Sequence, residues 1–199
     1  ASSRAVRWEL QGGVALAVVS LPEEGALWLV QTFDDDEVEP VEEGTCEVML
    51  KETAHWWDEW ASLSRYQGPY RKEVERSALA LKLCCYEPSG AIVAAPTTSL
   101  PEAYSGGRNW DYRFTWLGDS AFVLAALDGL GYDAETRGFL HFLKRVCRRE
   151  DGQPLPIMYA VDARPAPVER QLTHLRGYRE IGPVLVGNDA VGQFQLDVY

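Results

Sequence analysis

The stretch Arg108–Ser120, RNWDYRFTWLGDS, is the densest mixture of aromatic and polar side chains in the chain. Trp110, Tyr112 and Trp116 offer flat apolar faces, while Asp111, Arg113 and Asp119 offer directional hydrogen bonds. Carbohydrate recognition wants that mixture, because sugars pack C–H faces on rings while their hydroxyls donate to carboxylates and accept from Arg. Upstream lies EPSGAIVAAPTTSLPE (87–102), rich in Pro, Ser and Thr yet too apolar for disorder, which predicts an ordered loop pressed against the fold. Downstream, an apolar run from Asp119 to Leu130 predicts a helix, with Asp119 a suitable N-cap and Gly131 a suitable stop. An N-cap role for Asp119, and core packing for Tyr112 and Trp116, are the alternatives to sugar contact.

Working outward, further helices are predicted over Ala134–Cys147 and from about Asp189 to the end, with Asp133 and Asp189 as N-cap residues. Towards the N-terminus, Trp56, Trp57, Trp60 and Leu63 recur at helical spacing. Val74, Ala78, Leu81 and Cys85 do so again after a turn at Gly68 and Pro69, so two helices are expected in sequence. From Val6 to Phe33, short apolar runs divided by Gly12, Gly13, Pro22 and Gly25 read as antiparallel strands, and TCEVML (45–50) as a last strand. The acidic stretch Asp34–Glu43 carries Pro40 and no apolar period, and reads as a solvated loop.

At 199 residues, 46% hydrophobic and 25% charged, the composition is that of a soluble globular protein. The net charge of -11 is concentrated: residues 23–52 hold 11 acids and one base, leaving 19 acids and 18 bases elsewhere. No Lys/Arg cluster of the size a phosphate backbone requires is present, so neither nucleic acid nor an anionic membrane is expected as a partner. No apolar run approaches the ~20 residues that span a bilayer, and no signal-peptide order appears, so a cytoplasmic location is expected. Cys46, Cys84, Cys85 and Cys147 include no CxxC, and His55, His141 and His174 form no metal-ligand spacing, so no metal is expected. GxGxxG, P-loop and GxSxG motifs are absent from the sequence.

Several long blocks, in one order, resemble the bacterial and archaeal glucoamylase and trehalase-like proteins of glycoside hydrolase family fifteen. They are RKEVERSALALKL, GAIVAAPTTSLPE, GGRNWDYRFTWLGDSAF, LGYDAE, IMYAVD, HLRGY and GNDAVGQFQLDVY. The resemblance implies a mainly α fold with an N-terminal β portion. By that analogy residues 1–50 are the end of a β-sandwich, 51–107 a helical linker and ordered loop, and 108–199 the first helices of an (α/α)6 toroid. About four or five of the toroid's helices fit before Tyr199, so a partial chain is expected.

The resemblance also implies inverting hydrolysis of a terminal α-glucosidic bond, in a glucan oligosaccharide or in trehalose, without a cofactor. Inversion needs a carboxylic acid on the leaving oxygen and a carboxylate activating water from the opposite face. In the family both are glutamates beyond the QLDVY block, so no catalytic residue is expected within this chain. Tyr112, Trp116 and Asp119 fall on positions that contact the first sugar, with Trp110 and Asp111 in support and Asn188 a further carry-over. Three positions depart from the pattern: Gly118 stands where WLRDS has arginine, and Gly182 and Leu185 stand where basic residues are usual. A lost charged hydrogen bond to a sugar costs ~1.5–3 kcal/mol. The departures motivate the alternative of a catalytically inactive sugar-binding or scaffold relative, and a third alternative is a truncated product without function.

Overall fold

The computed structural model describes residues 6–12, 14–21, 23, 26–31, 41–148 and 155–196. Most of the acidic stretch expected as a loop lies outside them. The chain divides into two units, residues 1–62 and 63–199.

In the first unit, β1 (Glu9–Gln11) and β2 (Val14–Leu16) form a tight antiparallel hairpin with Leu10 opposite Ala15, as the apolar runs and glycines predict. TCEVML, expected as a strand, is instead the start of a 20-residue helix, α1 (Glu43–Ser62). The run of Val48, Met49 and Leu50 is β-like only when read alone. Cys46 and Trp60 are the buried residues of α1, four turns apart on one face, and Trp57 is half-buried between them. That 3.6-residue period, continued by the good helix formers Leu50, Lys51, Glu52 and Ala54, outweighs the short apolar run.

The second unit combines three helices with small antiparallel strand pairs. Helix α2 (Arg71–Leu83) leads into β3 (Cys85–Tyr86), which pairs with β4 (Ala91–Ile92). The predicted ordered loop then runs back antiparallel to the aromatic stretch. Backbone bonds from Ala94 to Phe114, Ala95 to Tyr112, Ser99 to Trp110 and Glu102 to Arg108 make an irregular ladder. β5 (Thr115–Trp116) follows, entering α3 (Leu117–Leu130) directly.

Helix α3 ends as predicted at Gly131, whose φ of 101° is accessible to glycine at little cost, with the next amide, of Tyr132, donating back to Leu127 O at 2.9 Å. Its N-cap, however, is Trp116, and Asp119 occupies the first turn, where a carboxylate favours the positive end of the helix dipole without capping it. Likewise Tyr132, and not Asp133, caps α4 (Asp133–Val146). Phe139, Phe142 and Val146 form the buried face of α4 and pack with Ala91, Ile92 and Tyr159. Glu135 of α4 meets Lys82 of α2 at 2.7 Å in a nearly enclosed ion pair.

β6 (Met158–Tyr159) pairs with β5, and β7 (Arg170–Gln171) with β8 (Leu185–Val186). The expected C-terminal helix is reduced to a 3-10 turn over Asp189–Gly192. Its cap is Asn188 and not the expected Asp189, with Asn188 Oδ1 accepting the Ala190 amide at 3.0 Å. Gly192 weakens continuation, and the side chains of Phe194 and Leu196 are largely exposed, so little apolar burial supports a short helix there. Among the described residues no helix is long and apolar enough to cross a membrane.

Candidate functional site

Two chain segments far apart in sequence build the site, and buried polar side chains join them. Ser99 Oγ accepts the Leu185 amide at 2.7 Å, and Thr98 Oγ1 donates to Leu185 O at 2.8 Å. Asn109 Nδ2 donates to both Ile181 O, at 3.1 Å, and Pro183 O, at 2.9 Å. Asp111 is fully enclosed at 0% exposure and completes the junction. Its carboxylate accepts Arg113 Nε at 2.9 Å, Arg113 Nη2 at 2.8 Å and the Arg113 amide at 3.2 Å, and reaches across to the Gly187 amide at 3.1 Å. Asn188 Nδ2 in turn donates to Asp111 O at 3.3 Å. The forked contact raises the Arg113 pKa, first through the hydrogen bond to Asp111 and also through its charge.

Gly187 admits no side chain here. Its φ is +88°, and a Cβ would stand 2.5 Å from Val168 O and 2.7 Å from Pro167 O.

Against this junction opens a cavity of about 350 Å³ lined by Trp110, Tyr112, Trp116, Asn188, Asp189, Ala190 and Gln193. The structure thus brings together four of the residues the sequence singled out, from both segments. Asp111 lies beneath the cavity and does not line it. Asp119 is exposed and lines a second, more apolar cavity of about 270 Å³ with Ser120, Phe122, Val123, Ile92 and Trp116. Trp116 is therefore common to both, and its buried indole N–H makes no hydrogen bond among the described residues.

Two carboxylates attend the first cavity from outside the predicted set. Glu102 accepts the Tyr112 hydroxyl, and this bond, followed by burial and the Glu102 charge, pushes the Tyr112 pKa up to about 12. Glu169 has one oxygen enclosed without a partner. Its pKa is raised by burial first, then by the charges of Asp189 and Asp111. Glu102 closes the block GAIVAAPTTSLPE, and a lone carboxylate ending an ordered loop beside an aromatic stretch is the signal that could have found it. Asp189 and Gln193 sit in the GNDAVGQFQLDVY block, where an expected helix hid their place on a turn.

The family model for glycosyl hydrolases family 15 matches residues 68–199, which hold all of these groups. The chain belongs to glycosyl hydrolase family 15. This family 15 chain is 49% identical over 150 residues to a trehalase of Thermoplasma acidophilum, covering 75% of the chain and 25% of that protein. It is 38% identical over 197 residues to a trehalase of Mycolicibacterium smegmatis, covering 98% of the chain and 29% of that protein. A trehalase of Mycobacterium tuberculosis is 42% identical over 151 residues. The family 15 chain spans about a quarter of the length of these relatives. No solved structure matches it.

The three departures of this family 15 chain fall in different surroundings. Gly118 is buried in the first turn of α3, and Leu185 is buried in β8 with its backbone held by Ser99. A side chain at Gly182 would find nothing within 4 Å.

Proposed function

We propose that this chain is the part of an inverting, trehalose-hydrolysing family 15 enzyme that forms one wall of the glucose pocket. The observation that carries the reading is the cavity in which three aromatic rings meet Asn188, Asp189 and Gln193. Rings for C–H faces and amide and carboxylate groups for hydroxyls, held on a buried polar junction, suit a pyranose. The names of the relatives favour trehalose over a glucan oligosaccharide as the α-glucoside. In this reading residues 1–50 end a β-sandwich, 51–107 are linker and ordered loop, and 108–199 begin an (α/α)6 toroid. Tyr112 and Trp116 contact sugar in this cavity, Asp119 contacts it from the second cavity on the other side of Trp116, Trp110 and Asn188 complete the wall, and Asp111 supports it. The acid and base of the reaction come from outside residues 1–199, and the chemistry requires no cofactor.

The test is made on the full-length protein carrying this segment, with glucose release from trehalose and from maltose as the readout. Trehalose hydrolysis that falls about tenfold or more in Asp119→Asn, at an unchanged melting temperature, supports the reading. Because Asp119 is exposed in the first turn of α3 and does not cap the helix, an unchanged turnover removes it from the site. The second reading, a catalytically inactive sugar binder, is favoured by Leu185, which places a buried apolar residue where a basic side chain is usual. It predicts trehalose binding with no glucose released.

A further inference from the structure

Glu102 lies outside the residues assigned to the pocket, yet it decides what one of them can do. It sits where the ladder between residues 94–102 and 108–114 closes, its amide donating to Arg108 O at 3.2 Å. From there its carboxylate accepts the hydrogen bond donated by the hydroxyl of Tyr112, a residue of the cavity wall. A phenol has one proton to donate and two lone pairs. With the proton committed to Glu102, the Tyr112 oxygen can only accept.

We propose that Glu102 is a specificity-determining residue of the pocket, fixing Tyr112 as a pure acceptor so that the ligand must present a donating hydroxyl to it. The inference rests on the glucose-pocket reading given above. The Asp189 carboxylate in the same wall is also an acceptor when ionised, so this side of the pocket selects donors. A site built around a committed hydrogen bond rejects analogues that cannot make it far more strongly than an apolar wall rejects a change of size. The hydrogen bond to Glu102 also raises the Tyr112 pKa to about 12, which keeps the phenol protonated with its O–H directed at Glu102.

The probes are glucose and its monodeoxyfluoro analogues, in which fluorine replaces one hydroxyl at a time and cannot donate. Affinity is measured calorimetrically on the full-length protein. At one ring position the fluoro analogue is expected to bind about tenfold or more weaker than glucose. In Glu102→Ala the phenol O–H is released to donate as well as accept, and the penalty at that position should shrink to about threefold or less. In Tyr112→Phe, where the oxygen is gone, the penalty at that position should vanish while the other positions keep theirs. Glu102 is exposed, so its removal is expected to leave the melting temperature unchanged. Should Glu102→Ala fold poorly, Tyr112→Phe alone decides. Glucose bound with the same penalties in wild type and variants overturns the proposal and leaves the pocket reading standing. No binding of glucose or trehalose by the wild type overturns both.

Discussion

The amide of Gly187 donates to Oδ2 of Asp111 at 3.1 Å, joining positions 76 residues apart. Through this bond one buried carboxylate fixes the turn that carries Asn188 and Asp189 against the irregular segment that carries Trp110 and Tyr112. The two members of the Asp111–Arg113 pair are not equivalent, since Asp111 is wholly enclosed and the Arg113 side chain is 44% exposed. Removing Arg113 strands a buried charge, whereas removing the charge of Asp111 leaves a guanidinium that water can satisfy. Arg113→Ala is therefore expected to cost about 3–5 kcal/mol, and Asp111→Asn about 2 kcal/mol. Urea unfolding of the full-length variants checks the order, and a larger loss from Asp111→Asn would contradict it.

Glu169 supplies a pH prediction. Its carboxyl is pushed above the ordinary value of 4.5, first by burial and then by Asp189 and Asp111, with a backbone contact from Asp189 opposing them. A raised folded-state pKa means stabilisation that is complete below about pH 4.5 and lost as pH rises through the folded value. Glu169→Gln, neutral at every pH, should lack that loss. The melting temperature of the variant relative to wild type is expected to rise between pH 4 and pH 7. A constant difference across that interval would show that Glu169 binds its proton equally well folded and unfolded, and would overturn the prediction.

Why some of this was legible in the sequence and some was not follows from range. Gly131 could be placed because a left-handed helix terminus is a local requirement met by one residue type, and the α4 face because Phe139, Phe142 and Val146 repeat at helical spacing. TCEVML misled because three adjacent apolar residues carry no period of their own, and only Cys46 and Trp60, read together, reveal the helix. Asp111 could be singled out by type and Asn188 only through the family resemblance. Their contact depends on the 181–188 segment folding back onto residues 99–111, which no local pattern encodes. Asp119 stands in the predicted stretch beside Trp116, yet the first turn of α3 carries it to the second cavity.

Helix α3 leaves apolar surface in water. Phe122 is 80% exposed, and Ala121 and Ala125 beside it are also exposed. A contiguous patch of this kind drives association. The isolated 199-residue chain is expected to self-associate at micromolar concentration, and Phe122→Ser to weaken that association. Sedimentation velocity decides the matter, and a monodisperse wild-type monomer with a sharp cooperative melt would refute it.

The last prediction concerns catalysis by residues 1–199 alone. Inversion places an acid and a base on opposite faces of one bond, with their carboxyl groups ~6.5–9.5 Å apart. The first cavity is lined by one carboxylate, Asp189, and the second by one, Asp119, with Trp116 common to both. Asp111 is occupied by Arg113 and Gly187, and Glu102 by Tyr112, so neither is free to activate water, and Glu169, whose second oxygen has no partner among the described residues, lines neither cavity. General acid and general base assistance each contribute ~10²–10⁴ in rate, and without the pair hydrolysis falls to background. The purified 199-residue chain should therefore release no glucose from trehalose, maltose or soluble starch between about pH 4 and 8. Glucose release by the chain that disappears in Asp119→Asn or Asp189→Asn would show that these two acids work together across Trp116, and the acid and base would have to be sought within this segment.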